Sequence, residues 1–137
     1  KYDHVKLEQR IKVCAVVMHQ VCHRFNDGEQ AFTPKDIHEV TKIPQQIINH
    51  AVKDLLQAKL LVEIRSEKKG SFEESIILHP IEKIDHLTYG AMIDRLFTYG
   101  ADVVGLAEQN PDWEKWKDID VLNAEFVESG KSINLFN

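Results

Sequence analysis

Cysteine is scarce in this chain. There are two, Cys14 and Cys22, among 137 residues. They lie on what reads as one helix, roughly 12 Å apart along its axis. A disulfide needs Cα atoms within about 7 Å, so these two cannot pair with each other inside that helix. Such usage points to a reducing compartment. No apolar run approaches the ~18 residues that a membrane span requires, and no signal peptide is visible. There is no Gly-rich phosphate loop, no carboxylate cluster at metal spacing and no nucleophile motif. These absences exclude the common enzyme signatures, and neither catalytic activity nor a cofactor or metal is expected. Internal repeats and low-complexity tracts are missing as well.

What is present is ordinary in amount and uneven in placement. Charged residues make up 28% and hydrophobic ones 43%, as in a globular domain. The net charge of −5 would disfavour a polyanion, but residues 1–70 hold 12 Lys and Arg against 9 Asp and Glu. Residues 71–137 hold 5 against 13. The first half is therefore free to approach an anion and the second is not. Lys1 stands where an initiator Met would, so the chain is expected to be a fragment whose upstream part could carry membrane spans.

Ile11, Cys14, Met18, Val21, Cys22 and Phe25 recur at helical spacing and predict a first helix, which Asn26-Asp27-Gly28 ends. Thr33-Pro34-Lys35-Asp36 is a helix start, with threonine to cap, proline at the first position and an acid in the first turn. The short helix after it, to about Val40, should bury Ile37 and Val40. Thr41-Lys42-Ile43-Pro44 starts a third helix that runs to about Lys59 and buries Ile47, Ile48, Ala51, Val52, Leu55 and Leu56. A strand over 60–65, a polar turn at 66–70 and a strand over 71–78 follow. Helix, helix-turn-helix and a hairpin with a basic tip is the winged-helix order. The predicted class is mainly α with a small β-hairpin. A winged-helix domain over 1–80 precedes an acidic helical extension over 81–137, packed on that domain or on a second copy. In the extension Thr88 caps a helix with Met92, Ile93, Leu96 and Phe97. Asn110-Pro111-Asp112 opens another with Trp113, Trp116, Ile119, Leu122 and Phe126, and the last seven residues read as a loose tail.

The third helix holds the recognition position. Gln45, Gln46, Asn49, His50 and Lys53 are expected to be exposed there, and all can bond base edges or phosphates. Lys68 and Lys69 at the wing tip would add phosphate contacts. The plainer reading is a solvated face, because Lys53 is its one certain cation and Asp54 lies beside it. Trp113, Trp116 and Phe126 head a stripe that would pack on the domain, on a second copy or on another protein. His19, Cys22 and His23 share a helical face, but no second Cys/His pair completes a metal site. His79-Pro80 and Asp85-His86 shape the chain leaving the wing rather than a catalytic centre.

Several stretches together resemble a known family. They are Phe25-Asn26-Asp27-Gly28-Glu29, Phe32-Thr33-Pro34-Lys35-Asp36-Ile37, Ile43-Pro44 leading to Leu55-Leu56-Gln57-Ala58-Lys59-Leu60-Leu61-Val62, Leu78-His79-Pro80, and Ile84-Asp85-His86-Leu87-Thr88. This pattern, over about residues 5–100, is similar to the soluble C-terminal region of the YihY (BrkB-like) inner-membrane proteins, historically labelled tRNA-processing ribonuclease BN. The resemblance implies a winged helix on the cytoplasmic side of a bacterial inner membrane, joined to upstream transmembrane helices. It carries no catalytic motif onto this chain. The leading expectation is a protein-interaction or self-association module. A DNA-binding regulator using the third helix and the wing is the second, and an accessory RNA-binding part is the third.

Overall fold

The computed structural model describes residues 4–67, 74–100 and 111–137. Helix α1 spans Leu7–Asn26 and buries Cys14, Val17, Met18, Val21 and Cys22. Gly28 takes φ +67°, a left-handed conformation that glycine adopts without steric cost, and turns the chain away. Phe25 does not continue the stripe as expected. It is 48% exposed, and its ring meets the edge of His79 at 5.4 Å. Val17, which the spacing pattern leaves out, takes an inward place.

Helix α2 (Pro34–Thr41) opens on a complete capping box. The Thr33 hydroxyl accepts from the Asp36 amide at 3.1 Å, and the Asp36 carboxylate accepts from the Thr33 amide at 2.9 Å. Two otherwise unpaired amides are satisfied at once. Ile37 is fully buried, but Val40 is 55% exposed, contrary to expectation. A helix this short turns only one narrow face inward, and Val40 lies off it.

The turn into α3 (Gln45–Gln57) differs from a second capped start. Pro44 occupies the cap position with no side-chain bond, and Thr41 instead donates to the Ile37 carbonyl at 2.7 Å. Lys42 crosses the turn at φ 63°. Helix α3 buries Ile48, Ala51, Val52 and Leu55, while Ile47 and Leu56 are half-buried. The helix stops before Lys59. Lys59 sits at φ 60°, and the Leu60 amide reaches back to the Leu55 carbonyl at 2.9 Å. The Lys59 amide bonds the Leu56 carbonyl at 3.2 Å, completing a Schellman end in which lysine takes the usual glycine place.

Strands β1 (Leu61–Glu67) and β2 (Glu74–Pro80) pair antiparallel, with Leu61 opposite Pro80 and Ile64 opposite Ile77. Both lie one to three residues later than the apolar runs suggest. The Leu78 amide also bonds the Phe32 carbonyl at 2.9 Å, which ties the wing to the loop before α2. Helix α1, the helix-turn-helix of α2 and α3, and this hairpin make a winged helix.

After a 3-10 turn at Ile84–His86, α4 (Tyr89–Thr98) is capped by Thr88, whose hydroxyl accepts from the Ala91 amide at 3.1 Å. A second 3-10 turn, Pro111–Lys115, leads into α5 (Trp116–Gly130). Helices α4 and α5 cross at Gly90 and Gly130, where backbone touches backbone. The final residues are not a loose tail. Leu135 is fully buried in the same core as Met18, Ile48 and Leu55. Its amide bonds the Leu87 carbonyl at 2.9 Å and its carbonyl takes His19 Nδ1 at 3.0 Å. Asn134 Nδ2 donates to the Ile84 carbonyl at 2.9 Å. The chain end thus serves as an edge segment against 84–89.

Candidate nucleic-acid interface

Helix α3 is held on its inner side by α1, α2 and β1, which leaves its outer side to solvent. Gln46, Asn49 and Lys53 are exposed there at spacings of three and four, so they form one row along the helix. His50 is half-buried beside them. Gln45 is also half-buried rather than freely exposed, and its amide nitrogen is engaged twice. It donates to the Pro34 carbonyl at 3.3 Å and to Asn49 Oδ1 at 2.9 Å. Gln45 therefore locks the start of α3 to α2 and fixes the Asn49 side chain.

Asp54 neighbours Lys53 in sequence but not in orientation. One position along a helix turns the side chain by about 100°. Asp54 lies against α1 and the end of α4, 3.9 Å from Arg10 and accepting from the Tyr99 hydroxyl at 3.3 Å. Its side chain is 20% exposed. Asp54 thus turns its carboxylate toward α1 and α4 rather than toward the outer face that carries Lys53. Arg95 reinforces the same end of the helix, donating to the Lys59 carbonyl at 3.2 Å while paired with Glu82. No local signal in the sequence announces these anchors, since Tyr99 is 45 positions from Asp54.

At the wing, Arg65, Val62, Ile64 and Ile76 are exposed. Lys68 and Lys69 lie outside the described residues. Lys35, Lys42 and Lys59 around the helix-turn-helix are exposed as well.

The expected second surface is on α5. Trp116, Ile119, Leu122 and Phe126 are 44–59% exposed, and Trp113 is half-buried with its ring 4.8 Å from that of Trp116. The Phe126 ring is 6.4 Å from Phe97 on α4. Among the described residues this stripe covers little of the domain and remains turned to solvent.

Burial pushes both cysteine thiols up to about 12, with Asp54 adding to the effect at Cys14. They stay protonated and unreactive at neutral pH. Among the described residues no group of three or more His, Cys, Asp or Glu converges on a metal position. His23 instead meets Asp27 at 3.1 Å, and His19 is committed to the chain end. No described helix is long and apolar enough to cross a membrane.

The element order and the register of the wing place the chain in the winged-helix class. Solved structures with the same fold include the global cysteine regulator CymR of B. subtilis. It matches with a TM-score of 0.58 and 18% identity over 96% of this chain and 93% of that one. CymR of Staphylococcus aureus matches at 0.55 and 16% identity, over 93% of each chain. IscR of T. potens matches at 0.61 and 16% identity, over 98% of this chain and 86% of that one. No family model matches the chain, and no curated protein does. The resemblance to the YihY group therefore stands on its quoted motifs alone.

Proposed function

We propose that this chain is a DNA-binding module of a transcriptional regulator, with α3 entering the major groove. The observation that carries this reading is the exposed row Gln46, Asn49 and Lys53, kept free of the Asp54 carboxylate by Arg10 and Tyr99. A helix in the recognition position with amides toward base edges and a cation toward phosphate is suited to duplex DNA. The likeness in fold to a protein described as a global regulator supports the same reading over a purely protein-binding one. The test is fluorescence anisotropy with duplex DNA selected from a random pool. Replacing Asn49 and Lys53 together by alanine should weaken binding by about 10- to 100-fold, while the unfolding midpoint stays put. Equal binding by wild type and variant would remove α3 from the interface.

The stripe on α5 favours self-association as a second property of the same molecule. An apolar face of Trp116, Ile119, Leu122 and Phe126 on one helix can pair with its own copy about a two-fold axis. Such a pair would present two α3 helices to two half-sites, roughly one helical turn of DNA apart or a multiple of it. Sedimentation at micromolar concentration should give twice the chain mass. Ile119→Glu with Leu122→Glu should return the mass of one chain. A wild-type monomer at all concentrations would count against this interface.

A further inference from the structure

The hydrogen-bond polarity at the start of α3 is set by a group that has no choice. The Pro34 carbonyl can only accept, so the Gln45 atom 3.3 Å from it must be the amide nitrogen. The same nitrogen lies 2.9 Å from the Asn49 side chain, which must therefore present its oxygen. Both hydrogens of Gln45 Nε2 are spent on these two acceptors. Gln45 is left with a bare acceptor, Oε1, and Asn49 with a bare donor group, Nδ2. Among the described residues neither atom has a further partner, and no unpaired side-chain nitrogen or oxygen is buried. Neither is sealed in the core, because Asn49 is exposed and no buried side-chain atom lacks a partner, and the bond between the two amides ties them together.

From this arrangement we infer that Gln45 and Asn49 act as one unit that selects an adenine in the major groove. The inference rests on the DNA-binding reading above. Adenine offers a donor at N6 and an acceptor at N7, which matches Gln45 Oε1 and Asn49 Nδ2 in order. Guanine offers acceptors at both O6 and N7, so its O6 would face the Gln45 oxygen without a hydrogen between them. An unconstrained amide could rotate to satisfy guanine. Gln45 cannot do so without giving up its bonds to Pro34 and Asn49. The tether to α2 thus makes specificity out of a side chain that would otherwise accept either purine. Gln46 and Lys53, which carry no such tether among the described residues, would contribute affinity and contacts to neighbouring positions.

The experiment is selection of binding duplexes from a random pool, followed by titration of the selected site with single-base replacements. An A·T pair is expected at one fixed position of each half-site. Replacing that adenine by 7-deazaadenine, which lacks the N7 acceptor, should weaken binding roughly tenfold, and guanine there should do so by tenfold or more. In Asn49→Ala the 7-deaza replacement should cost nothing further. In Gln45→Ala, which removes the fixed acceptor and frees the Asn49 amide to turn, discrimination between adenine and guanine should shrink while folding is retained. Selection of G·C at the fixed position, or indifference of the wild type to 7-deazaadenine, would overturn the adenine assignment and leave DNA binding intact. Failure of the pool to yield any bound duplex at low salt would overturn both.

Discussion

Gly90→Ala should destabilise the protein by about 3 kcal/mol or more, although alanine is the better helix former by about 1 kcal/mol. A Cβ at Gly90 would lie 2.9 Å from the Lys131 amide and closer still to the Val127 carbonyl oxygen. Real Cβ atoms essentially never approach heavy atoms below 3.0 Å. Both obstacles are backbone, so no rotamer change relieves them, and α4 and α5 would have to separate. Gly130 meets the same wall from the other side, with a Cβ there 2.9 Å from the Gly90 Cα. Urea unfolding followed by circular dichroism would measure the loss. An unchanged or raised midpoint for Gly90→Ala would mean that the two helices do not cross at these glycines. Gly28 gives the contrast. A Cβ there meets nothing, and only its positive φ resists substitution.

Leu135→Ala should cost about 2–5 kcal/mol, the range for emptying a fully buried leucine site. The position is two residues from the described end of the chain, where side-chain truncations are ordinarily harmless. Here the chain end is stitched down on both sides. Tyr89 donates its amide to the Ile133 carbonyl at 2.8 Å, Leu135 donates to Leu87 at 2.9 Å, and Thr88 and Asn134 form a bridge between those bonds. Removing residues 132–137 would take away, besides the Leu135 side chain, the bonds from Tyr89 to Ile133, from Leu135 to Leu87 and from Asn134 to Ile84. The truncated protein should therefore unfold at lower urea than Leu135→Ala itself. A midpoint equal to that of the full chain would show that the end segment is not part of the core.

These two sites also show what the sequence can and cannot reveal. The capping box at Thr33 and Asp36, the break at Gly28 and the period of Ile48, Val52 and Leu55 are local, so their spacing alone predicts them. Leu135 and Gly90 take their roles from partners far away along the chain, and a short apolar word near a terminus looks the same whether it docks or not. The end of α3 misleads for another reason. A left-handed lysine at position 59 carries no glycine to mark it, and the stop depends on bonds back to Leu55 and Leu56. The same division runs through the interface. Gln46, Asn49 and Lys53 can be placed on one face by counting. That Asp54 turns away is decided by Arg10 and Tyr99, and that Gln45 is tethered is decided by the Pro34 carbonyl. The orientation of the α5 stripe is legible, whereas its lack of cover among the described residues is not.

Titration of the wild-type chain with random duplex DNA at roughly 50 and 200 mM salt tests the central claim most directly. Binding through phosphate contacts releases counterions, so the logarithm of affinity falls linearly with the logarithm of salt. With about four contacts, binding should weaken about 100-fold across that range. Measurable binding at the lower salt with that steep loss is the expected result. No binding at the lower salt, or binding that ignores salt, would contradict a DNA-binding role for α3.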